Sequence, residues 1–303
     1  MPATRRKASF ARACPACDGR VYRRLARVRG TTIWQCTGCG LATWDWPPQD
    51  AAHFYDGTYW RSDDVGRGYA DYFALARATG LTHRRRLDWL RRRGAAAGSA
   101  SARPRLLDAG AGPGFFVQAA RDAGYAAIGL EVSREAVTYA REQLGQDVRA
   151  GEIRPVDVPR GPFDVVTLWD VVEHLPAPLA ALRALTDQLR PGGLLAVSTG
   201  DLSSLLAWLS GARWHLFTLP EHLWFFTPWS LERLLRRAGL VPLGRRYETG
   251  WFTLRYLAER VEAMVLRRRV ISTRLGGLGA LPVPMNLADV MTVVCRRGGA
   301  QGE

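Results

Sequence analysis

From Arg105 onward, short apolar runs alternate with segments of helical spacing. Leu106-Leu107 leads into Asp108, Ala126 to Leu130 ends at Glu131, Phe163 to Leu168 ends at Trp169-Asp170, and Leu194 to Ser198 follows a Pro-Gly-Gly turn. Short continuous apolar runs bounded by turn residues predict buried strands. The segments between them carry helix punctuation. Val117 to Ala123 is stopped by Gly124; Ser133 caps a helix running to Leu144 and closed by Gly145; Pro178 to Leu189 ends at Arg190-Pro191-Gly192-Gly193. Thr227-Pro228 opens a further helix, with cap and N1 proline, that stops at Gly239. Asp147 to Ala150 is a weak strand, and Val241 to Tyr247 and Asp289 to Cys295 are two more. Regular alternation of strand and helix predicts an α/β domain around a mostly parallel sheet.

The first strand opens onto Asp108-Ala109-Gly110-Ala111-Gly112-Pro113-Gly114-Phe115. Without Cβ atoms, these glycines let the backbone turn sharply and let a ligand lie against it. The dinucleotide fingerprint G-x-G-x-x-G fails at its third place, which is Phe115, and no Lys-Ser/Thr follows for a P-loop. Glu131 lies 23 residues past Asp108, at the tip of the second strand. An acid there can accept both hydroxyls of a ribose, so a nucleoside ligand is expected.

Four of the five cysteines form C-x2-C-x18-C-x2-C: Cys14, Cys17, Cys36 and Cys39. Each pair curls a knuckle that presents two thiolates to one cation, and Val21 to Gln35 between them reads as a hairpin turning at Gly30. This predicts a zinc ribbon with all four positions filled, hence a structural ion with no place for a catalytic water. Cys295 sits alone in an apolar run as a small hydrophobe.

The net charge is +14, which invites a polyanion partner. Residues 1–30 carry nine basic groups against one acid, but 41 of the 42 basic residues of the chain are arginine, a skew that follows coding composition as readily as function. Arg84 to Arg86, Arg91 to Arg93 and Arg267 to Arg269 read as solvated helix faces, with a basic rim for a phosphorylated substrate, a membrane surface or nucleic acid as the alternative. The N-terminus is basic without an apolar stretch, and no run reaches the ~18 apolar residues of a membrane span, so a cytoplasmic protein is expected. Three regions are expected: a zinc ribbon over 1–46, an aromatic and helical connector over 47–104 with Gly66 to Arg93 helical and 94–104 low in complexity, and a ligand-binding domain over 105–303. Asp201 to Phe226 is a long aromatic insertion, read as a lid. Leu254 to Val270 is a basic amphipathic helix, a second lid element or a membrane-surface patch.

The Gly-rich loop resembles motif I of class I S-adenosylmethionine (SAM) methyltransferases. Phe163-Asp164-Val165-Val166, Glu173-His174-Leu175-Pro176 and Leu189-Arg190-Pro191-Gly192-Gly193-Leu194 resemble the later motifs, nearest to the ubiquinone-type O-methyltransferases. The cysteine ribbon followed by Phe54-Tyr55-Asp56-Gly57-Thr58-Tyr59-Trp60 is similar to a subgroup that includes bacterial sugar C-methyltransferases, although their large C-terminal domain has no counterpart here. The resemblance implies a Rossmann-like seven-stranded sheet with an antiparallel last strand. It also implies SAM contacts at Asp108, Gly110, Gly112, Gly114, Phe115, Glu131, Val132 and Asp170. Since the sulfonium already activates the methyl group, the protein has only to place an acceptor, exclude water and take a proton. His222 is the first candidate for that base, with Glu221 orienting or sharing the role and His174 second. The expected function is methylation of a small molecule, sugar or lipid-linked glycan at O or C. The alternative is an RNA methyltransferase whose basic ribbon holds nucleic acid, and peripheral membrane contact is a further expectation.

Overall fold

The computed structural model describes residues 7–9, 12–47, 76–96, 102–265 and 271–298. The Phe54 to Trp60 aromatic run, most of the connector and the Arg267 to Arg269 cluster lie outside the described residues. The chain forms two compact units, one of residues 1–49, 153–248 and 287–303, the other of residues 50–152 and 249–286.

The second unit holds the Gly-rich loop. Strands β5 (Arg105–Ala109), β6 (Ala126–Glu131) and β7 (Val148–Ala150) run parallel, with Leu107 opposite Ile128 and Leu130 opposite Arg149. Helix α2 (Phe115–Asp122) follows β5, and α3 (Arg134–Glu142) follows β6, its first turn capped by the Ser133 side chain as the sequence predicts. Leu106, Leu107 and Ala109 are buried, which is why the run is continuously apolar rather than alternating. Gly129 is required where loop and strand meet: a Cβ there would stand 2.7 Å from the Ala111 Cβ. In the same unit α1 (Ala76–Ala96) is one helix, buried through Leu87 and Leu90. It meets β12 (Gly250–Thr253), whose Trp251 amide donates to Thr82 Oγ1 at 2.9 Å. Strand β13 (Pro282–Met285) pairs antiparallel with β12, and α7 (Leu254–Val265) starts the helix expected from Leu254.

In the first unit, β8 (Phe163–Trp169) and β9 (Leu189–Gly200) are parallel, joined by α4 (Pro178–Asp187). β9 begins five residues earlier than expected: Leu189 pairs with Phe163, the Arg190 to Gly193 turn loops out, and pairing resumes between Leu194 and Val165. β14 (Val290–Arg297) lies antiparallel to β9, and β11 (Leu240–Tyr247) antiparallel to β14. Helix α6 (Pro228–Arg237) opens with a capping box between Thr227 and Ser230. The sheet order is β11-β14-β9-β8-β5-β6-β7, seven strands with the last strand antiparallel, as the resemblance implies.

The N-terminal strands β1 (Lys7–Ser9), β2 (Val21–Val28), β3 (Thr31–Cys36) and β4 (Ala42–Thr43) form a second sheet. Its fifth strand is β10 (Trp224–Phe225), more than 180 residues on: Trp224 pairs with Thr43 and Phe225 with Ala42. The aromatic insertion is therefore an integral, paired segment of the ribbon sheet. It carries α5 (Leu205–Ser210) and buries Trp214, Phe217, Trp224, Phe225 and Phe226. Among the described residues no helix is long and apolar enough to cross a membrane.

Candidate active site

The Gly-rich loop is held by the strand beside it. The amides of Gly110 and Ala111 both donate to the Leu130 carbonyl, at 2.8 and 3.0 Å. Gly110, Gly112 and Gly114 all have positive φ, which L side chains rarely adopt. Glu131 is buried, and its carboxylate closes the loop: Oε2 accepts from the Gly112 amide at 2.8 Å and Oε1 from the Ser133 amide at 2.9 Å. Burial raises its pKa; the amides of Ser133, Gly112 and Val132 act the other way by bonding the charged form. Asp108 is buried at the tip of β5 in the same unit. Phe115 opens α2 with its ring edge-on to Tyr139 at 6.1 Å. Two acids and a thin glycine loop thus occupy the C-terminal ends of adjacent parallel strands, where such sheets take their ligands.

The second cluster stands at the tip of β8. Asp170 has φ 57, a strained value for a residue with a side chain, and is fixed by Ser198, whose hydroxyl donates to Oδ1 at 2.9 Å. The next turn carries Glu173 and His174. His174 Nδ1 lies 2.9 Å from the Glu221 carbonyl oxygen. A carbonyl only accepts, so Nδ1 bears the proton and Nε2 presents a lone pair. Burial holds the imidazole neutral, down to about 4, so that lone pair persists at ordinary pH. The His222 ring packs edge-on against it at 4.7 Å between centroids. Glu221 is buried, with its carbonyl committed to His174. The two histidines therefore meet, whereas Glu221 reaches His174 through its backbone carbonyl and its carboxylate is not part of the cluster of Glu173, His174 and His222.

Glu173 is the residue that sequence reasoning missed as a chemical group. It is buried, and its Oε2 finds no hydrogen-bond partner among the described residues. Burial first, then Asp170, pushes its carboxyl up to about 8. Its spacing to Asp170 in Asp-Val-Val-Glu was the available signal: two acids three residues apart just past a strand tip. Glu173, His174 and His222 each offer one ligand atom, all within 4.8 Å of one another, a set that could hold a divalent cation. Thr199, Trp214, Trp224 and Phe226 complete a small concavity around Glu173 and His222. Gly200 leaves room for this wall: a Cβ there would stand 2.8 Å from Leu216 Cδ1 and 3.2 Å from the Trp214 ring.

The four ribbon cysteines converge, with 3.4 Å between the Cys14 and Cys39 sulfurs and 3.5 Å between those of Cys17 and Cys36. The two knuckles repeat one backbone form: the amide four residues on returns to the first cysteine's carbonyl, Asp18 to Cys14 at 2.8 Å and Gly40 to Cys36 at 3.0 Å. Gly19 leaves the space that a Cβ would take from the Cys36 and Cys17 sulfurs, at 3.1 and 3.3 Å. The thiol of Cys17 is pushed up to about 11, first by burial. Four sulfurs gathered in so small a space fit a tetrahedral zinc ion, which would hold them as thiolates.

A methyltransferase-domain family matches residues 81–243, more than half of the chain. The chain belongs to this methyltransferase family. The methyltransferase is 36% identical over 153 residues to a ubiquinone biosynthesis O-methyltransferase of Cereibacter sphaeroides, a match over 47% of this chain and 62% of that relative. It is 33% identical over 167 residues to the enzyme of that name from Aromatoleum aromaticum, covering 51% of this chain and 69% of the relative. The chain thus spans less than two thirds of the length of the Cereibacter relative and slightly more than two thirds of the Aromatoleum one. Among solved structures, magnesium protoporphyrin IX methyltransferase of Synechocystis with bound SAH has 15% identity and a TM-score of 0.48, over 77% of this chain and 91% of that one.

Proposed function

We propose that this methyltransferase transfers the methyl group of SAM to an ionisable hydroxyl of a small molecule. SAM supplies a methyl already activated by its sulfonium. Asp108 is suited to the cationic amine end of the donor, the backbone of Gly110, Gly112 and Gly114 to close approach, and Glu131 to the ribose hydroxyls. Val132, Phe115 and Asp170 complete the proposed donor contacts. The observation that carries this half is Glu131, already bonded to the Gly112 amide and so fixed at the loop that must receive a nucleoside.

The proton of the acceptor hydroxyl passes to the imidazole pair. His174 keeps its Nδ1 proton on the Glu221 carbonyl and burial makes its Nε2 a weak base, so His222 is read as the acceptor, with Glu173 beside it as a second proton store. Trp214, Trp224 and Phe226 are buried around Glu173 and His222, where they help keep water from the imidazole pair. The curated relatives bear the name of an O-methyltransferase, which supports oxygen as the acceptor atom over carbon. Zinc in the four-cysteine ribbon is proposed as structural. Three ribbon arginines hold neutral partners within the ribbon, which fixes their side chains and leaves their charge in place. Arg12 stacks on Trp46 at 3.4 Å, Arg23 bonds Gln35 at 2.8 Å, and Arg27 bonds the Gly30 carbonyl at 3.0 Å. Peripheral membrane contact, if made, has a candidate surface in the exposed Leu205, Trp208 and Leu209 of α5.

The test is transfer of labelled methyl from SAM to catechol-type hydroxyls by wild type and His222→Gln, with and without added divalent cation. Wild type labels the acceptor, and His222→Gln loses about a hundredfold or more in rate at unchanged SAM affinity. Equal rates for the two proteins would refute His222 as the base.

A further inference from the structure

The ribbon sheet does more than decorate the methyltransferase body. β10 follows His222 with one residue between, and β10 is paired to the ribbon edge β4. The backbone carbonyls of His222 and Leu223 are both taken by ribbon side chains. Trp44 Nε1 donates to the His222 carbonyl at 2.9 Å, and Thr43 Oγ1 donates to the Leu223 carbonyl at 2.8 Å. Trp46 Nε1 donates in turn to Thr43 Oγ1 at 3.3 Å, and its ring stands edge-on to Trp224 at 6.1 Å. Thr43, Trp44 and Trp46 are buried.

On the other side the same peptide is held by the catalytic turn. The Leu223 amide donates to the Glu173 carbonyl at 2.9 Å, and Trp224 Nε1 donates to the Leu175 carbonyl at 2.9 Å. The His222 backbone is therefore clamped between two elements, one carrying Glu173 and His174, the other belonging to the cysteine ribbon. The ribbon is itself pinned to the body: Arg237 of α6 donates to the Pro15 carbonyl at 2.8 Å and to the Asp18 carboxylate at 2.6 Å.

We infer that the ribbon edge is part of the transfer site, with Thr43 and Trp44 as positioning residues that set where the His222 imidazole points. This rests on the reading of His222 as the base and adds to it. Cys36 and Cys39 bracket the turn that leads from β3 into β4, so the order of the cysteine cluster is passed to the clamp over the three residues from Cys39 to Ala42. A direct hydrogen bond to the peptide that carries a base restricts its position, and misplacement on the ångström scale is costly to a transfer that needs alignment.

The experiment compares Trp44→Phe, Thr43→Val and the conservative Thr43→Ser in the full chain. Each is read for kcat, acceptor KM, SAM affinity and Tm, with His222→Gln in parallel. Trp44→Phe keeps the ring and removes the donor; Thr43→Val keeps the shape and removes the hydroxyl. The expected result is a kcat lowered about tenfold or more in both, with SAM affinity unchanged and Thr43→Ser restored to near the wild-type rate. Wild-type kcat in Trp44→Phe and Thr43→Val, alongside an inactive His222→Gln, overturns the positioning role and leaves the base in place. A kcat loss matched by loss of SAM affinity and a collapsed Tm in both variants overturns it as well, because the bonds then serve only to hold the fold. An active His222→Gln removes the reading on which the inference stands, whatever the ribbon variants do.

Discussion

Single side chains decide most of the chemistry, and Glu173 shows how. Its carboxyl is buried, with one oxygen unpaired and Asp170 nearby, so ionisation is disfavoured until about pH 8. The native state then binds one more proton than the unfolded chain between the ordinary carboxyl range and pH 8. Stability conferred by this group is therefore greatest in acid, falls as pH rises through that window and levels off above it. Glu173→Gln stays neutral throughout. In chelator-treated protein, thermal unfolding at pH 5 and pH 8 should show the variant gaining on wild type as the pH rises. A constant gap between the two proteins contradicts the shifted carboxyl. The sequence displayed the residue types of this site but not their environment. His174 and His222 were legible as candidate bases through the motifs that carry the family resemblance and the need for a proton acceptor; Glu173 was not, since burial and the approach of Trp214 and Phe226 come from a segment that follows it by more than forty residues.

At the level of elements, local signals were read well where one residue does one job. Ser133 and Thr227 cap the helices they were expected to cap, and the positive-φ glycines sit in the loop that needs them. Gly129 carried no such signal, because its role is contact with a loop from another element. Gly129→Ala should destabilise the protein by about 1–3 kcal/mol through overpacking against Ala111 and Val148, read as a lowered Tm. An unchanged Tm contradicts the close approach of loop to strand. The early start of β9 was hidden because the Pro-Gly-Gly turn interrupts the apolar run, although pairing with β8 exists on both sides of it. β10 was illegible for a different reason: two residues have no period, and their pairing partner lies at Ala42 and Thr43.

At the scale of the molecule, the α/β sheet was legible in the alternation of apolar runs and helical segments, its seven-stranded form in the family resemblance and the cysteine cluster in spacing, while the union of the ribbon with the aromatic insertion was not. That union changes what metal removal should do. Stripping the cysteine cluster with a thiol-competent chelator should lower methyl transfer and expose the segment between Trp214 and Trp224 to protease, while SAM binding at the Gly-rich loop persists. Unchanged proteolysis after verified metal loss contradicts the coupling. The net charge of +14 remains, but part of it is committed internally, as in the Arg237 contacts to Pro15 and Asp18.

The most direct test of the whole account is calorimetric titration of SAM into wild type and Glu131→Gln. A Glu131 that receives the ribose predicts saturable one-to-one binding by wild type, weakened about tenfold or more in the variant as a charge-assisted bond is lost. Absence of binding by folded wild type, or the same affinity in both proteins, would contradict it.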